Sequence, residues 1–363
     1  IAGIDALVGV GDAEVVAAAA RGDCEAAVAL QSAPSTAHRW YPSGPRVLST
    51  PPWTAYLKIA EGCDHSCSFC TIPSIRGPYT SKPLEDCVEE ARRLADGGVA
   101  ELNIIAQDTT LYGSDLPGRP DLCDLIARLH AIEGLRWIRV LYAYPRPQLD
   151  RLAGAMAEFP KLCRYLDVPL QHSDRSVLWA MRRPGDGAEY LEMLRRLRER
   201  VPGITLRTTL IVGFPGETGE AFENLMGFVQ EARFDRLGVF EFSPEAGTPA
   251  ARMSGQVPEE ELRRRRDRLM QLQQGISLER NKGLVGSEID ALIERVTSRG
   301  AVGRTEGDAP EVDGSVIIRG CRKAPGSFVR VRVIGADVYD ITAREAAGTA
   351  FGVGRLSMEA NNR

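Results

Sequence analysis

The 363 residues carry 45 Lys and Arg against 49 Asp and Glu, a formal net charge of −4, with 44% apolar and 26% charged residues. That balance is ordinary for a globular chain of two or three domains and argues against a protein built mainly to coat nucleic acid. No stretch approaches the roughly 18 unbroken apolar residues of a membrane span, and the alanines near Ala17–Ala20 are too few and too close to acidic residues for a signal sequence.

Residues 1–30 read as a strand, a helix over Ala13–Ala20 and a short apolar piece. Residues 31–50 form a linker rich in Ser, Pro and Gly. From there apolar runs and amphipathic patterns alternate. Strands are expected at Tyr56–Ala60, Glu101–Gln107, Trp137–Tyr144, Tyr165–Leu170, Thr205–Val212 and Leu237–Phe242. Helices are expected between them at Leu84–Asp96, Asp121–Ile132, Pro147–Ala157, Gly187–Arg200 and Glu220–Ala232. Repeated strand-then-helix units make a parallel sheet with right-handed crossovers. Six repeats fall short of the eight of a closed TIM barrel, so the expected fold is α/β, a partly open (β/α)6 TIM-like barrel over residues 51–278. A charged helix, Pro258–Asn281, carries Arg263-Arg264-Arg265-Arg266, which reads as a solvated or salt-bridged face ahead of an RNA clamp. Short alternating strands follow at Glu288–Glu294, Ala301–Arg304, Gly314–Arg319 and Phe328–Val333. They read as a small all-β barrel of the oligomer-binding type over 279–346, with a patternless tail at 347–363. Trp40, Trp53, Trp137 and Trp179 have no stacking-platform spacing and read as core or interface residues.

Three of the eight cysteines, Cys63, Cys67 and Cys70, stand in one C-x3-C-x2-C run just after the first strand. The other five are scattered singly, so the cysteines form no secreted disulfide framework, and a reducing cytoplasm is the expected compartment. Structural zinc usually takes four ligands in two pairs. Three clustered thiolates suit a cubane iron–sulfur cluster with one iron left open. The alternatives are a zinc site completed by His65 or a distant residue, or three unrelated loop cysteines.

The cysteine run, the flanking Ile59-Ala60-Glu61-Gly62 and Ile72-Pro73-Ser74-Ile75-Arg76-Gly77, and the downstream Ile211-Val212-Gly213-Phe214-Pro215-Gly216-Glu217-Thr218 and Phe240-Glu241-Phe242-Ser243-Pro244 carry a resemblance. Together they resemble the radical S-adenosylmethionine (SAM) methylthiotransferases, from about Pro51 to Arg344. The terminal β module is similar to that family's TRAM domain. The resemblance implies that Cys63, Cys67 and Cys70 hold a [4Fe-4S] cluster, and that its open iron binds SAM. One electron then cleaves the sulfonium bond to give a 5′-deoxyadenosyl radical, with flavodoxin or ferredoxin as the kind of donor. Gln107, Gln171 and Arg207 are candidate contacts to the cofactor, or else satisfied buried polar groups. Gly213 and Gly216 either let backbone approach the cofactor closely or simply form a tight turn. His172 follows Gln171 and is a candidate supporting group in the same cavity.

Within the family, three segments are similar to the branch that modifies an aspartate of ribosomal small-subunit protein twelve: Ile104–Gly113, Tyr165–His172, and Ala309-Pro310-Glu311-Val312-Asp313-Gly314 with Ala336-Asp337-Val338-Tyr339-Asp340. Residues 279–345 hold eleven basic and eleven acidic side chains. A neutral module suits a basic protein substrate better than the phosphates of tRNA, the substrate of the sister branch. A non-catalytic, zinc-containing RNA- or ribosome-binding protein is the alternative from another class. The family's full-length members carry a second [4Fe-4S] cluster in an N-terminal domain, of which residues 1–30 are the expected remnant, and Cys24 alone does not supply three ligands.

Overall fold

The computed structural model describes residues 13–23 and 47–346. The expected helix Ala13–Ala20 is present. The other elements expected in 1–30, most of the linker, the tail, Cys24 and Trp40 lie outside the described residues. The chain divides into two units, 1–276 and 277–363.

In the first unit six strands, β1 (Thr54–Lys58), β2 (Glu101–Ile105), β3 (Trp137–Val140), β4 (Leu162–Asp167), β5 (Thr205–Val212) and β6 (Arg236–Glu241), form one sheet in that order. Every neighbouring pair is parallel. Each of the first five strands is followed by a helix: α1 (Leu84–Asp96), α2 (Leu122–His130), α3 (Gln148–Glu158), α4 (Gly187–Arg200) and α5 (Gly219–Ala232). The helix starts are written locally. Asp121 and Asp124 form a reciprocal capping box on α2, Asp186 caps α4, and the Thr218 hydroxyl accepts from Ala221 N–H on α5. Helix α1 buries Cys87, Val88, Ala91, Leu94 and Ala95, a stripe at helical spacing against the sheet. The result is the expected six-stranded, open α/β barrel.

Strand β5 has the expected bounds, and the other five strands stop earlier at their carboxyl ends than the apolar runs imply. β3 ends at Val140 because Tyr142 takes φ +59°, and β4 ends at Asp167, ahead of Gln171 at φ +73°. Left-handed backbone at bulky residues is uncommon; it interrupts β3 at Tyr142, whereas Gln171 still pairs parallel with Leu210 beyond the end of β4. At the opposite end, Thr54 and Glu101 open their strands side by side. Thr54 Oγ1 donates to Glu101 at 2.9 Å, Arg139 Nη2 donates to Glu101 at 3.2 Å, and the Arg139 guanidinium lies 4.7 Å over the Tyr165 ring. Glu101 and Arg139 are fully buried, so this end is a polar plug that supports the fold.

The charged helix α6 (Glu259–Gly283) follows. Its arginine run is salt-bridged: Arg263 to Glu259, Arg264 to Glu261, Arg265 to Glu261 and Glu217, and Arg266 to Asp267 and Glu241.

The second unit is a closed barrel of β7 (Glu288–Thr297), β8 (Gly300–Thr305), β9 (Val316–Arg319), β10 (Phe328–Ala336) and β11 (Ile341–Glu345), in the order β8-β9-β11-β10-β7. Alternate residues such as Val316 and Ile318, Val329, Val331 and Val333, and Ile341 and Ala343 point inward to its core. Strand β11 has no counterpart among the expected strands. It closes the barrel by pairing parallel with β9 and antiparallel with β10.

Candidate active site

Beyond β1 the chain makes a short antiparallel pair, Ala60–Glu61 with Thr80–Ser81, and the cysteine loop hangs between them. Gly62 sits at φ +77°, and a Cβ there would lie 2.1 Å from the Pro78 carbonyl oxygen. Cys63 N–H then donates to Gly77 O at 3.1 Å, which closes the loop's neck. Farther along, Ser68 N–H donates to Met181 O at 3.1 Å, Ser68 Oγ donates to Ala180 O at 2.7 Å, and Ala250 N–H donates to Ser68 O at 2.9 Å. Cys70 N–H donates to Cys67 O at 3.2 Å, and its sulfur accepts from Ile72 N–H at 3.4 Å. The loop that carries the thiols is thus tied at both ends.

These ties make a direct prediction. Gly62→Ala adds left-handed strain of roughly 1–3 kcal/mol to a backbone clash and lowers the unfolding temperature by several degrees. Gly77→Ala, at φ +78° with no atom within 4 Å of the added Cβ, shows the strain without the clash and has the smaller effect. Equal melting shifts in thermal unfolding of the two variants would contradict this reading of the neck.

Cys63, Cys67 and Cys70 line one cavity of about 340 Å³ at the carboxyl ends of the strands, with Gln107, Tyr142, Tyr144, Gln171 and Arg183 among its other walls. Burial pushes the Cys63 and Cys70 thiols up from their ordinary value, and each then feels the neighbouring Cys67. Thiols raised in this way favour the protonated form until a metal ligates them. Among the described residues no three His, Cys, Asp or Glu side chains converge as closely as one metal ion requires. A cubane does not ask for that convergence, since each thiolate binds its own iron. His65 is engaged elsewhere. Its ring stacks on Tyr144 at 3.9 Å, and Nε2 lies 2.8 Å from buried Asp108 and 3.2 Å from Arg146 Nη2.

Two of the five expected cofactor contacts meet in this cavity. Gln107 donates from Nε2 to Glu61 at 3.1 Å, and its buried Oε1 has no protein partner. Gln171 is held in its left-handed conformation by Gln171 N–H to Thr209 O at 2.9 Å and Ile211 N–H to Gln171 O at 2.7 Å. The other three do not line the cavity. Arg207 Nη1 donates to Asp167 at 3.1 Å. Gly213 takes φ +73°, a Cβ there would displace Leu262 Cδ2, 1.7 Å away, and its N–H donates to Glu217. Gly216 N–H donates to Gly255 O at 3.0 Å in a turn at φ +85°. His172 is fully buried away from the cavity lining, accepting at Nδ1 from Asp174 N–H at 2.9 Å. Sequence reasoning missed Tyr144 and Arg183, which no motif marks. The one available signal was Tyr144's place just past the third strand, where barrel sites gather.

The remaining described cysteines do not add a second set. Cys87 and Cys321 are buried, as is Cys163, and Cys123 is half-buried. Burial pushes the Cys87 thiol up to about 12 and the Cys123 thiol up to about 11. In the second unit, Asp313 and Asp340 serve turns, accepting from Ala309 N–H at 2.9 Å and Ser315 N–H at 2.8 Å. Those turns bring Glu311, Val312, Asp337 and Tyr339 to the surface. No helix among the described residues is long and apolar enough to cross a membrane.

Comparison with known proteins adds the following. Residues 57–229 match the Radical SAM superfamily, and residues 285–345 match the TRAM domain. The chain is 50% identical over 344 residues to the ribosomal protein uS12 methylthiotransferase RimO of Pelotomaculum thermopropionicum, a match that covers 93% of this chain and 77% of that one. It is 50% identical over 306 residues to the protein of the same name from an Anaeromyxobacter species, covering 84% of this chain and 65% of that one. The Myxococcus xanthus protein of that name is 49% identical over 304 residues, covering 83% and 63% respectively.

Proposed function

The chain belongs to the uS12 methylthiotransferase family of radical SAM enzymes, and on that premise we propose that Cys63, Cys67 and Cys70 hold a [4Fe-4S] cluster serving methylthiolation of an aspartate of ribosomal protein uS12. The observation that carries this reading is the shared cavity: three thiols on a tethered loop after the first strand, facing Gln107 and Gln171 from the second and fourth. The residues fit the group. Three sulfurs supply a cubane's ligands, and the unpartnered Gln107 Oε1 awaits a donor such as the SAM amino group or ribose hydroxyl.

When bound, the cluster supplies one electron to SAM and thereby the carbon radical that activates an otherwise inert C–H bond. The protein's part is positional. The Gly62 neck and the Ser68 ties fix where the thiols stand. Tyr142 and Gln171, in strained backbone at the strand ends, form the wall that orients the adenosyl portion and excludes water. Gln107→Ala is expected to raise the SAM dissociation constant about tenfold, the equivalent of one polar contact, with cluster content unchanged. Equilibrium binding to reconstituted protein measures it, and an unchanged constant would remove Gln107 from the cofactor site.

The TRAM barrel is the docking module in this reading. Its equal numbers of acidic and basic side chains, with Glu311 and Asp337 exposed beside Val312 and Tyr339, favour a basic protein over tRNA. Flavodoxin or ferredoxin supplies the electron in the cytoplasm. The sulfur-transfer step uses the second [4Fe-4S] cluster of the family's full-length form. The test incubates the reconstituted full-length protein with uS12 and, separately, with tRNA. A methylthio mass gain on a uS12 aspartate supports the proposal, and methylthioadenosine in digested tRNA with unmodified uS12 overturns it.

A further inference from the structure

Arg183 reaches a cysteine of the triad by hydrogen bonding. It is 9% exposed, and its placement is over-determined. Arg182, just before it, takes the left-handed φ of +56°, and Arg183 N–H donates to Leu178 O at 2.8 Å. Nη2 donates to Pro169 O at 2.7 Å, the guanidinium lies 4.4 Å over the Tyr144 ring, and Nη1 points to Cys67 Sγ at 3.8 Å. Tyr144 is itself pressed from its other neighbours, stacked by His65 and approached by Arg146 at 5.0 Å. A planar cation held by a carbonyl and a ring cannot swing away from the sulfur as an exposed arginine would.

We propose that Arg183 is a positioning residue that tunes the cluster electrostatically through the Cys67 thiolate, raising the cluster's reduction potential so that a biological donor can reduce it. The proposal rests on the cluster assignment above. A hydrogen bond and a fixed positive charge at a ligating sulfur stabilise the reduced cluster, which carries one more electron and hence one more negative charge, over the oxidised form. The effect grows in a partly buried site, where the charge is poorly screened. The same cavity position also lets Arg183 meet the carboxylate of SAM, and a measurement made without SAM separates the two roles.

The test is a redox titration of the reconstituted protein without SAM, followed by the electron paramagnetic resonance signal of the reduced cluster, for the wild type, R183Q and R183K. Iron and sulfide content is measured on each sample. R183Q removes the charge and is expected to lower the midpoint by about 59 mV, a tenfold fall in the reduced-to-oxidised ratio at a fixed potential for a one-electron couple. R183K keeps the charge but loses the fork, and is expected to fall between the two. Identical midpoints for wild type and R183Q overturn the proposal; where R183Q retains no cluster, the neutral variant R183M is titrated in its place and the same identity overturns it. Identical midpoints with weakened SAM binding in R183Q overturn it in favour of a cofactor contact. Wild-type protein that takes up no iron and sulfide defeats the cluster assignment itself, a failure distinct from either.

Discussion

Replacing any one of Cys63, Cys67 and Cys70 with alanine is expected to strip the reconstituted protein of most of its iron and sulfide and to bring SAM cleavage down to background. Three thiolates are the minimum that holds a cubane while leaving one iron open, so no ligand is spare. The fold survives. Cys67 and Cys70 lie on a tied loop outside the main core, whose buried residues come from the strands and helices. The far-ultraviolet circular dichroism and the melting temperature of the metal-free variants should therefore match those of the metal-free wild type. As a control, Cys123→Ala, a half-buried helix residue, keeps its cluster. A triad variant that retained a full complement of iron and sulfide would show that the cluster has another ligand.

The second large effect lies at the opposite end of the barrel. Arg139→Met is expected to destabilise the protein by about 3–5 kcal/mol, because it breaks a fully buried ion pair by removing the cation on Glu101. Thr54 Oγ1 still donates to Glu101, but a neutral hydroxyl does not replace a charge in that environment. The double variant Glu101→Leu, Arg139→Met removes both charges and is expected to recover most of the loss. Chemical denaturation of the two variants measures this. A single-variant cost under about 1 kcal/mol would mean that the carboxylate takes a proton cheaply or reaches water, and the plug would not be a supporting element.

Much of this architecture is legible because its signals are local. The caps at Asp121, Asp186 and Thr218 and the apolar stripe of α1 sit within a few residues of what they determine. The parallel sheet follows from alternation alone. What was not legible depends on distant partners. Strand β11 is five residues long, and its place between β9 and β10 is set by pairing across the barrel. The left-handed turns at Tyr142, beyond the end of β3, and at Gln171, beyond the end of β4, are not revealed by an apolar run.

The site divides along the same line. The cysteine run is legible because chemistry fixes its spacing, and Gln107 and Gln171, at strand ends, line the same cavity. Arg207, Gly213 and Gly216 sit in equally suggestive sequence, yet Asp167, Leu262 and Gly255 account for them. Arg183 shows the converse: its three anchors, Pro169, Tyr144 and Cys67, are far apart in the chain and meet only in the folded barrel.

The most direct test of the central claim is metal and product analysis of the anaerobically reconstituted protein, given SAM and a chemical reductant. The expected result is iron and sulfide bound through the triad, and 5′-deoxyadenosine formed by the wild type but not by the three cysteine variants. Stoichiometric zinc without iron, and SAM left intact, would contradict it.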